Sequence, residues 1–206
     1  MKKNTREKIV DTALDLFNNK GLSQVTLRTI ANEMGISQGN LNYHYKKRDD
    51  IIEALYYRLV ADMDESVAKI EHAEIGVQLV YDISAAIMEN SYKYRFFLLD
   101  FTQIMRNNKK INAHYKKLSK MRESQLVGLM NMMMEVGLIR AEILPNEYSY
   151  LYKRNEVFGN FWIGSVEIEK SRIVKKTMLE YLEITIQSMY PYLTDKGVAQ
   201  YESLKR

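Results

Sequence analysis

The stretch TLRTIANEMGISQGNLNYHY, residues 26–45, decides how the rest of the chain is read. Thr26 is a good N-cap, because its side-chain oxygen can accept from a free backbone N–H in the first helical turn. Leu27, Ile30, Ala31 and Met34 then share one face at helical spacing. Gly35 follows the last apolar position, where a left-handed residue ends a helix without a Cβ clash. Ile36 is an apolar plug beyond the turn, and Ser37 is a second N-cap. Leu41 and Tyr45 recur at i, i+4 on the next helix, and small Ala31 lets the two helices approach closely. The pattern predicts a helix-turn-helix, whose second helix lies in the DNA major groove. Gln38, Gly39, Asn40, Asn42, Tyr43 and His44 are its expected outward positions.

Outward from this stretch, residues 5 to about 20 predict a first helix with Ile9, Ala13, Leu16 and Phe17 inside and Gly21 as its end. Lys46, Lys47 and Arg48 follow the second reading helix. They suit either a solvated connector or a phosphate anchor. Asp49 and Asp50 then open a long fourth helix, where acids favour the dipole. Residues 1–50 hold nine cations against six acids, so +3 of the chain's +4 surrounds the helix-turn-helix. Phosphate contacts need that excess there. The isoelectric point is about 9.

The 206 residues are 46% hydrophobic, with two prolines and nine glycines, and apolar positions recur at helical spacing almost end to end. The expectation is an all-α protein of about nine helices. Residues 1–47 would form a three-helix DNA-binding domain, and residues 48–206 a larger helical domain. The chain has no cysteine, which excludes disulfides, thiolate zinc sites and cysteine nucleophiles. The N-terminal stretch carries charges throughout, so no signal peptide is expected, nor is a membrane span. A cytoplasmic location is expected. His44, His72 and His114 form no metal-ligand pair, and no phosphate loop or nucleophile elbow occurs. Neither an enzyme nor a cofactor or metal is expected.

Ile9 to Leu55 resembles the DNA-binding domain of the tetracycline-repressor (TetR) family of bacterial regulators. The likeness is carried by A-x-x-L-F (Ala13, Leu16, Phe17), Gly21, T-x-x-x-I-A (Thr26, Ile30, Ala31) and M-G-I-S (Met34 to Ser37). L-x-Y-H-Y (Leu41, Tyr43, His44, Tyr45) and the basic turn before an acidic helix start complete it. Two positions depart from the pattern: Asn42 stands where relatives often carry an aromatic, and Lys47 where Ser or Asn caps the fourth helix.

The resemblance implies a homodimeric regulator, more often a repressor, on a palindromic operator, with residues 48–206 as its regulatory and dimerisation domain. Gln38, Asn40 and Asn42 would approach base edges. Thr26, Tyr43, Lys46, Lys47 and Arg48 would hold phosphates, Arg28 a guanine or a phosphate, and His44 a phosphate or the groove. Ser37 and Gly39 complete the expected DNA-binding set. The resemblance also implies a small-molecule effector, apolar or amphipathic, in the C-terminal domain. Met88, Phe97, Phe101, Met105, Met130, Phe158 and Trp162 are its candidate lining, although the same side chains suit a helical core. The last two helices would pair with their copies through Leu151, Phe158, Leu179, Leu182, Ile186 and Met189. A DNA-binding dimer without an inducer, constitutive or controlled by a protein partner, is the alternative. The basic run Arg106–Arg122 has three readings: a solvated face, an anion site or extra DNA contact.

Overall fold

The computed structural model describes residues 4–70, 74–169 and 174–205. His72 lies outside them, as does Ser171, near which the apolar spacing predicts a last long helix to begin. The described residues form α1 (Thr5–Lys20), α2 (Leu27–Glu33), α3 (Gln38–His44), α4 (Arg48–Ala68) and α5 (Val77–Lys93). There follow α6 (Arg95–Leu99), α7 (Phe101–Asn107), α8 (Lys109–Glu135), α9 (Glu147–Glu169), α10 (Lys175–Gln187) and α11 (Asp195–Glu202). No strand occurs among them, only one isolated bridge, Ile139 to Leu193. The fold is therefore all-α, as expected.

Two elements differ from the sequence reading. Apolar and aromatic spacing predicts one helix over Tyr92–Met105, but it is broken at Tyr94 and again at Asp100. Asn18 of α1 explains the first break. Its Nδ2 donates to the Lys93 carbonyl (2.9 Å) and its Oδ1 accepts from the Phe96 N–H (3.1 Å), supplying partners that a continuous helix would provide itself. The polar stretch after Pro191, where the sequence predicts no further helix, contains α11, capped by Thr194 through the Gly197 N–H. Gln200 of α11 accepts from Val77 N–H (3.0 Å), at the start of α5 where Gly76 offers no side-chain cap. Gly197 is required at its position, since a Cβ there would sit 2.1 Å from the Leu138 carbonyl oxygen.

Three packed clusters hold the molecule together. The first joins Ile9, Phe17, Ile30 and Leu41 of the head to Ile51, Leu55 and Tyr56 of α4, Phe96 and Phe97 of α6, Ile104 of α7 and Ile111 of α8. It runs without a break across residues 47 and 48, so the small head leans on the larger body. The second gathers Val77, Met130, Met133, Tyr148, Leu151 and Met189. The third gathers Met88, Trp162, Ile163, Val166, Tyr181, Leu182 and Ile186.

At the turn into α9, Arg140 grips Glu147 with both nitrogens (2.8 and 2.9 Å), and Ile143 N–H donates to the same carboxylate. The guanidinium first, and that N–H second, pull the Glu147 carboxyl down to about 2. A depressed carboxyl stabilises the fold above its unfolded pKa and loses that contribution as pH falls through the folded one. Glu147→Gln is therefore expected to melt below wild type at neutral pH. The gap in melting temperature should close as pH falls from about 4.5 toward about 2. A gap that persists unchanged at pH 2 would rule out this linkage.

Candidate nucleic-acid interface

The two caps expected around the turn are present. Thr26 Oγ1 accepts from Thr29 N–H (3.1 Å) while Thr29 Oγ1 accepts from Thr26 N–H (3.3 Å), and Ser37 Oγ accepts from Asn40 N–H (3.2 Å). Gly35 takes φ +65°, and the following Ile36 N–H bonds back to the Ala31 carbonyl. Leu41 is fully buried, and Tyr45 follows it inward. Arg6 of α1 donates to the Tyr45 hydroxyl (3.2 Å), with its guanidinium 5.2 Å from the ring centroid. These contacts hold α3 on its support and set its outer face.

That face presents Gln38, Gly39, Asn40 and Tyr43 to solvent, and Tyr43 is 81% exposed. Thr26, Arg28, Ser37, Lys46 and Lys47 are also exposed. A short helix of amide and phenol groups flanked by cations matches the chemistry of base edges and phosphates.

Three expected contact residues sit differently. Arg48 is half-buried, and its Nη1 donates to the Leu22 (3.0 Å) and Val25 (3.3 Å) carbonyls. This nitrogen ties the link before α2 to the start of α4 and is not presented to a phosphate. Asp100 lies beside the same guanidinium and the Leu22 N–H, and burial nevertheless keeps its carboxyl above the ordinary range. Asn42 is half-buried, with its Oδ1 shielded from solvent and no donor among the described residues. His44 is half-buried as well, edge-on to Tyr43 with ring centroids 5.2 Å apart. On a helix of seven residues, positions flanking Leu41 lie at the packing boundary. At Lys47, Asp50 replaces the missing side-chain cap by accepting from the Lys47 N–H (2.9 Å).

Sequence reading missed the residues that brace the head. Arg58 of α4 donates to Asp11 of α1 (2.5 Å) and to the Tyr94 hydroxyl (3.0 Å), which in turn donates to Asp62 (2.6 Å). Burial and the Asp62 hydrogen bond raise the Tyr94 phenol well above its usual range, while Lys93 and Tyr94 hold Asp62 below the ordinary carboxylate range despite its partial burial. These partners are 31 to 47 residues apart in the chain, so no local pattern marks them.

The seven candidate lining residues are not gathered round one space. Phe97, Phe101 and Met105 belong to the first cluster, Met130 to the second, and Met88, Phe158 and Trp162 to the third. Two described clefts, of about 30 and 280 Å³, lie beside the head and touch none of the seven. The Trp162 N–H is buried with no acceptor among the described residues. Four of the six expected dimer contacts, Leu151, Leu182, Ile186 and Met189, are packed inside the protomer. Phe158 is half-buried, stacked on Tyr181, and Leu179 is exposed. Of the basic run, Lys110 and Arg122 pair with Glu53 and Asp64 of α4, while Arg106, Lys109, Lys116, Lys117 and Lys120 face solvent. Among the described residues no cluster of three or more metal-ligating side chains occurs, and no helix is long and apolar enough to cross a membrane.

A capped helix-turn-helix on a helical body defines a DNA-binding regulator, and comparison with known proteins agrees. The signature of bacterial regulatory proteins of the tetR family matches residues 9–55, and that of the TetR bacterial transcriptional repressor matches residues 58–201. The chain belongs to the TetR family of bacterial transcriptional regulators, which are DNA-binding proteins and not enzymes.

Among curated relatives, the class D tetracycline repressor protein of Escherichia coli is 36% identical over 56 residues, 27% of this chain and 26% of that one. A probable HTH-type regulator of Bacillus subtilis, YttP, is 29% identical over 90 residues, covering 40% and 44%. The chain thus spans less than half the length of these curated relatives. A TetR-family regulator from Marinobacter aquaeolei shares the fold, with a TM-score of 0.85, 21% identity, and 99% and 100% of the two chains covered.

Proposed function

We propose that this regulator is a cytoplasmic repressor that binds a palindromic operator as a homodimer and is released by a small organic effector held in its helical body. Residues 1–47 are the reading head, and residues 48–206 the regulatory and dimerisation part. The observation that carries the DNA reading is the exposed row Gln38, Asn40 and Tyr43 on a helix locked in place by Leu41 and Tyr45. Gln and Asn pair bidentately with adenine, and Arg28, Lys46 and Lys47 supply charge for phosphates. Dimerisation is supported by an exposed apolar stripe on α9. Tyr150, Val157, Phe161 and Ile168 recur there at spacings of seven, four and seven, and Ile168 is 89% exposed. Leu179 and Ile184 of α10 are exposed as well. Two heads on a two-fold axis read a palindrome that one short helix would hold weakly.

The effector is supported by the family and by two structures of the same fold that carry small molecules. One is a regulator from Saccharomonospora viridis with choline (TM-score 0.69), and the other is a SmeT–triclosan complex (TM-score 0.62). A ligand acts only if it favours one arrangement of the heads over another. The Arg58 and Asn18 contacts between α1 and the α4–α6 region are a route for that preference. The dispersal of the seven lining candidates over three clusters favours the alternative, a dimer without a small-molecule inducer.

The test is selection of bound fragments from random DNA, followed by salt titration of variants. Lys46→Ala is expected to weaken binding on all sequences and to lower the log–log salt slope by about 1.8, one phosphate contact being lost in each protomer. Asn40→Ala is expected to relax preference at one base pair per half-site by about 1–3 kcal/mol, with the slope unchanged. If both variants retain the wild-type slope and sequence preference, the contact assignment is wrong.

A further inference from the structure

Midway along α8 the inner face changes chemistry. Ile111 at one end, and Met130 and Met133 at the other, are buried among apolar neighbours. Between them Tyr115, Ser119 and Arg122 share the same face, at i, i+4 and i+7. Opposite them on α9 stand Tyr152, Glu156 and Asn160, one turn apart. Tyr115 and Ser119 hydroxyls both donate to Glu156 Oε1, the first at 3.0 Å. The Tyr152 hydroxyl donates to Ser119 Oγ (3.3 Å), and Asn160 Nδ2 to the Tyr115 hydroxyl (2.7 Å). All five of these residues are half-buried, so solvent reaches the cluster.

Glu156 is held by uncharged donors. Among the described residues, no Lys, Arg or His nitrogen lies within 4.0 Å of its carboxylate. Its neighbour Arg122 turns instead to Asp64 of α4. Other partly buried acids do meet a cation: Asp62 meets Lys93 (2.5 Å) and Glu147 meets Arg140 (2.8 Å). A carboxylate drawn out of water loses hydration that hydroxyl donors restore only in part, and a cation restores the remainder. Aromatic rings continue from Tyr115, whose hydroxyl donates to Glu156. Phe101 lies 5.2 Å from the Tyr115 ring and 6.2 Å from the Phe161 ring, centroid to centroid. Ring faces attract cations, most strongly where water is partly excluded.

We propose that Glu156, with Tyr115 and Tyr152 beside it, recognises an organic cation that seats between α8 and α9 with its apolar part against Phe101. A substituted ammonium or an amidinium has the required chemistry. This rests on the effector reading above and names the class of effector: a cation with an apolar body. Glu156 supplies the charge and the rings supply the apolar contact. Asn160 holds the Tyr115 hydroxyl in place.

The test uses the full-length protein with three probes, tetraethylammonium, benzyltrimethylammonium and benzamidinium. Neopentylbenzene, the uncharged carbon isostere of the second, is the control. Binding is followed by calorimetry and by the fluorescence of Trp162, the chain's single tryptophan, six residues beyond Glu156. At least one cation is expected to bind saturably, and benzyltrimethylammonium at least about tenfold more tightly than its isostere. Glu156→Gln should abolish that preference while leaving the isostere's affinity unchanged. The wild-type comparison of cation and isostere holds even if the variant folds poorly. Saturable binding by none of the cations, or equal affinity for cation and isostere, overturns the proposal. A retardation assay on operator DNA separates the two readings. Glu156-dependent cation binding that leaves DNA retention unchanged supports the site and defeats the effector role. Release by a neutral compound, with no cation bound, keeps the effector role and defeats this site.

Discussion

Leu41→Ala is expected to destabilise the protein by about 2–5 kcal/mol and to abolish operator binding. The helix that carries Leu41 has only seven residues, too few to persist by propensity alone. Within it Leu41 is the one buried residue, and with Tyr45 just beyond it provides the anchor to α1 and α2. Truncation leaves a void against Ile30 and Ala31 in a cluster that continues into α4, α6, α7 and α8. The loss should therefore register in the melting of the whole chain and not only in a frayed head. For a domain of this size the melting temperature should fall by roughly 4–20 °C. Gln38→Ala, at an exposed position of the same helix, should leave the melting temperature at the wild-type value while still altering DNA binding. A Leu41→Ala protein that melts with wild type would show that α3 is not held through its core contact.

The double change Val157→Glu with Ile184→Glu is expected to convert the proposed dimer to a folded monomer. Both side chains are exposed on the protomer, at 62% and 47%, so the charges displace no internal packing. In a dimer the same charges would be buried against their copies without partners, which an apolar interface does not tolerate. Operator affinity should fall about 10²- to 10⁴-fold, because the second head no longer binds at the effective concentration its partner provides. Light scattering reads the mass, circular dichroism the retained helix, and a retardation assay the affinity. Leu151→Glu supplies the contrast: at 1% exposure it should damage the protomer itself. A doubly substituted protein that keeps the wild-type mass would place the interface elsewhere.

Both experiments depend on distinctions that one-dimensional periodicity does not make. Helix α9 carries two apolar stripes. Leu151, Trp162 and Val166 face the protomer's own core, and Tyr150, Val157, Phe161 and Ile168 face away. Each stripe has helical spacing and comparable hydrophobicity, so spacing alone does not separate Leu151, packed inside the protomer, from Val157, exposed on it. The seven lining candidates met the same difficulty. Methionine and aromatic side chains pack a core and line a cavity with equal ease, and the choice depends on where neighbouring helices cross.

Residues 26–45 determined by themselves what local chemistry can determine. Thr26 and Ser37 begin helices because their oxygens reach nearby backbone donors, Gly35 turns where a side chain would clash, and Leu41 points inward because helical spacing puts it there. Each of those causes acts over a few residues. Tertiary structure alone decided that Arg48 serves the carbonyls of Leu22 and Val25, that Asn18 breaks a helix about 75 residues away, and that Glu156 meets the hydroxyls of Tyr115 and Ser119. Those outcomes follow from which buried polar groups come together once the helices pack. A buried donor or acceptor takes the nearest partner in space, whatever its distance along the chain.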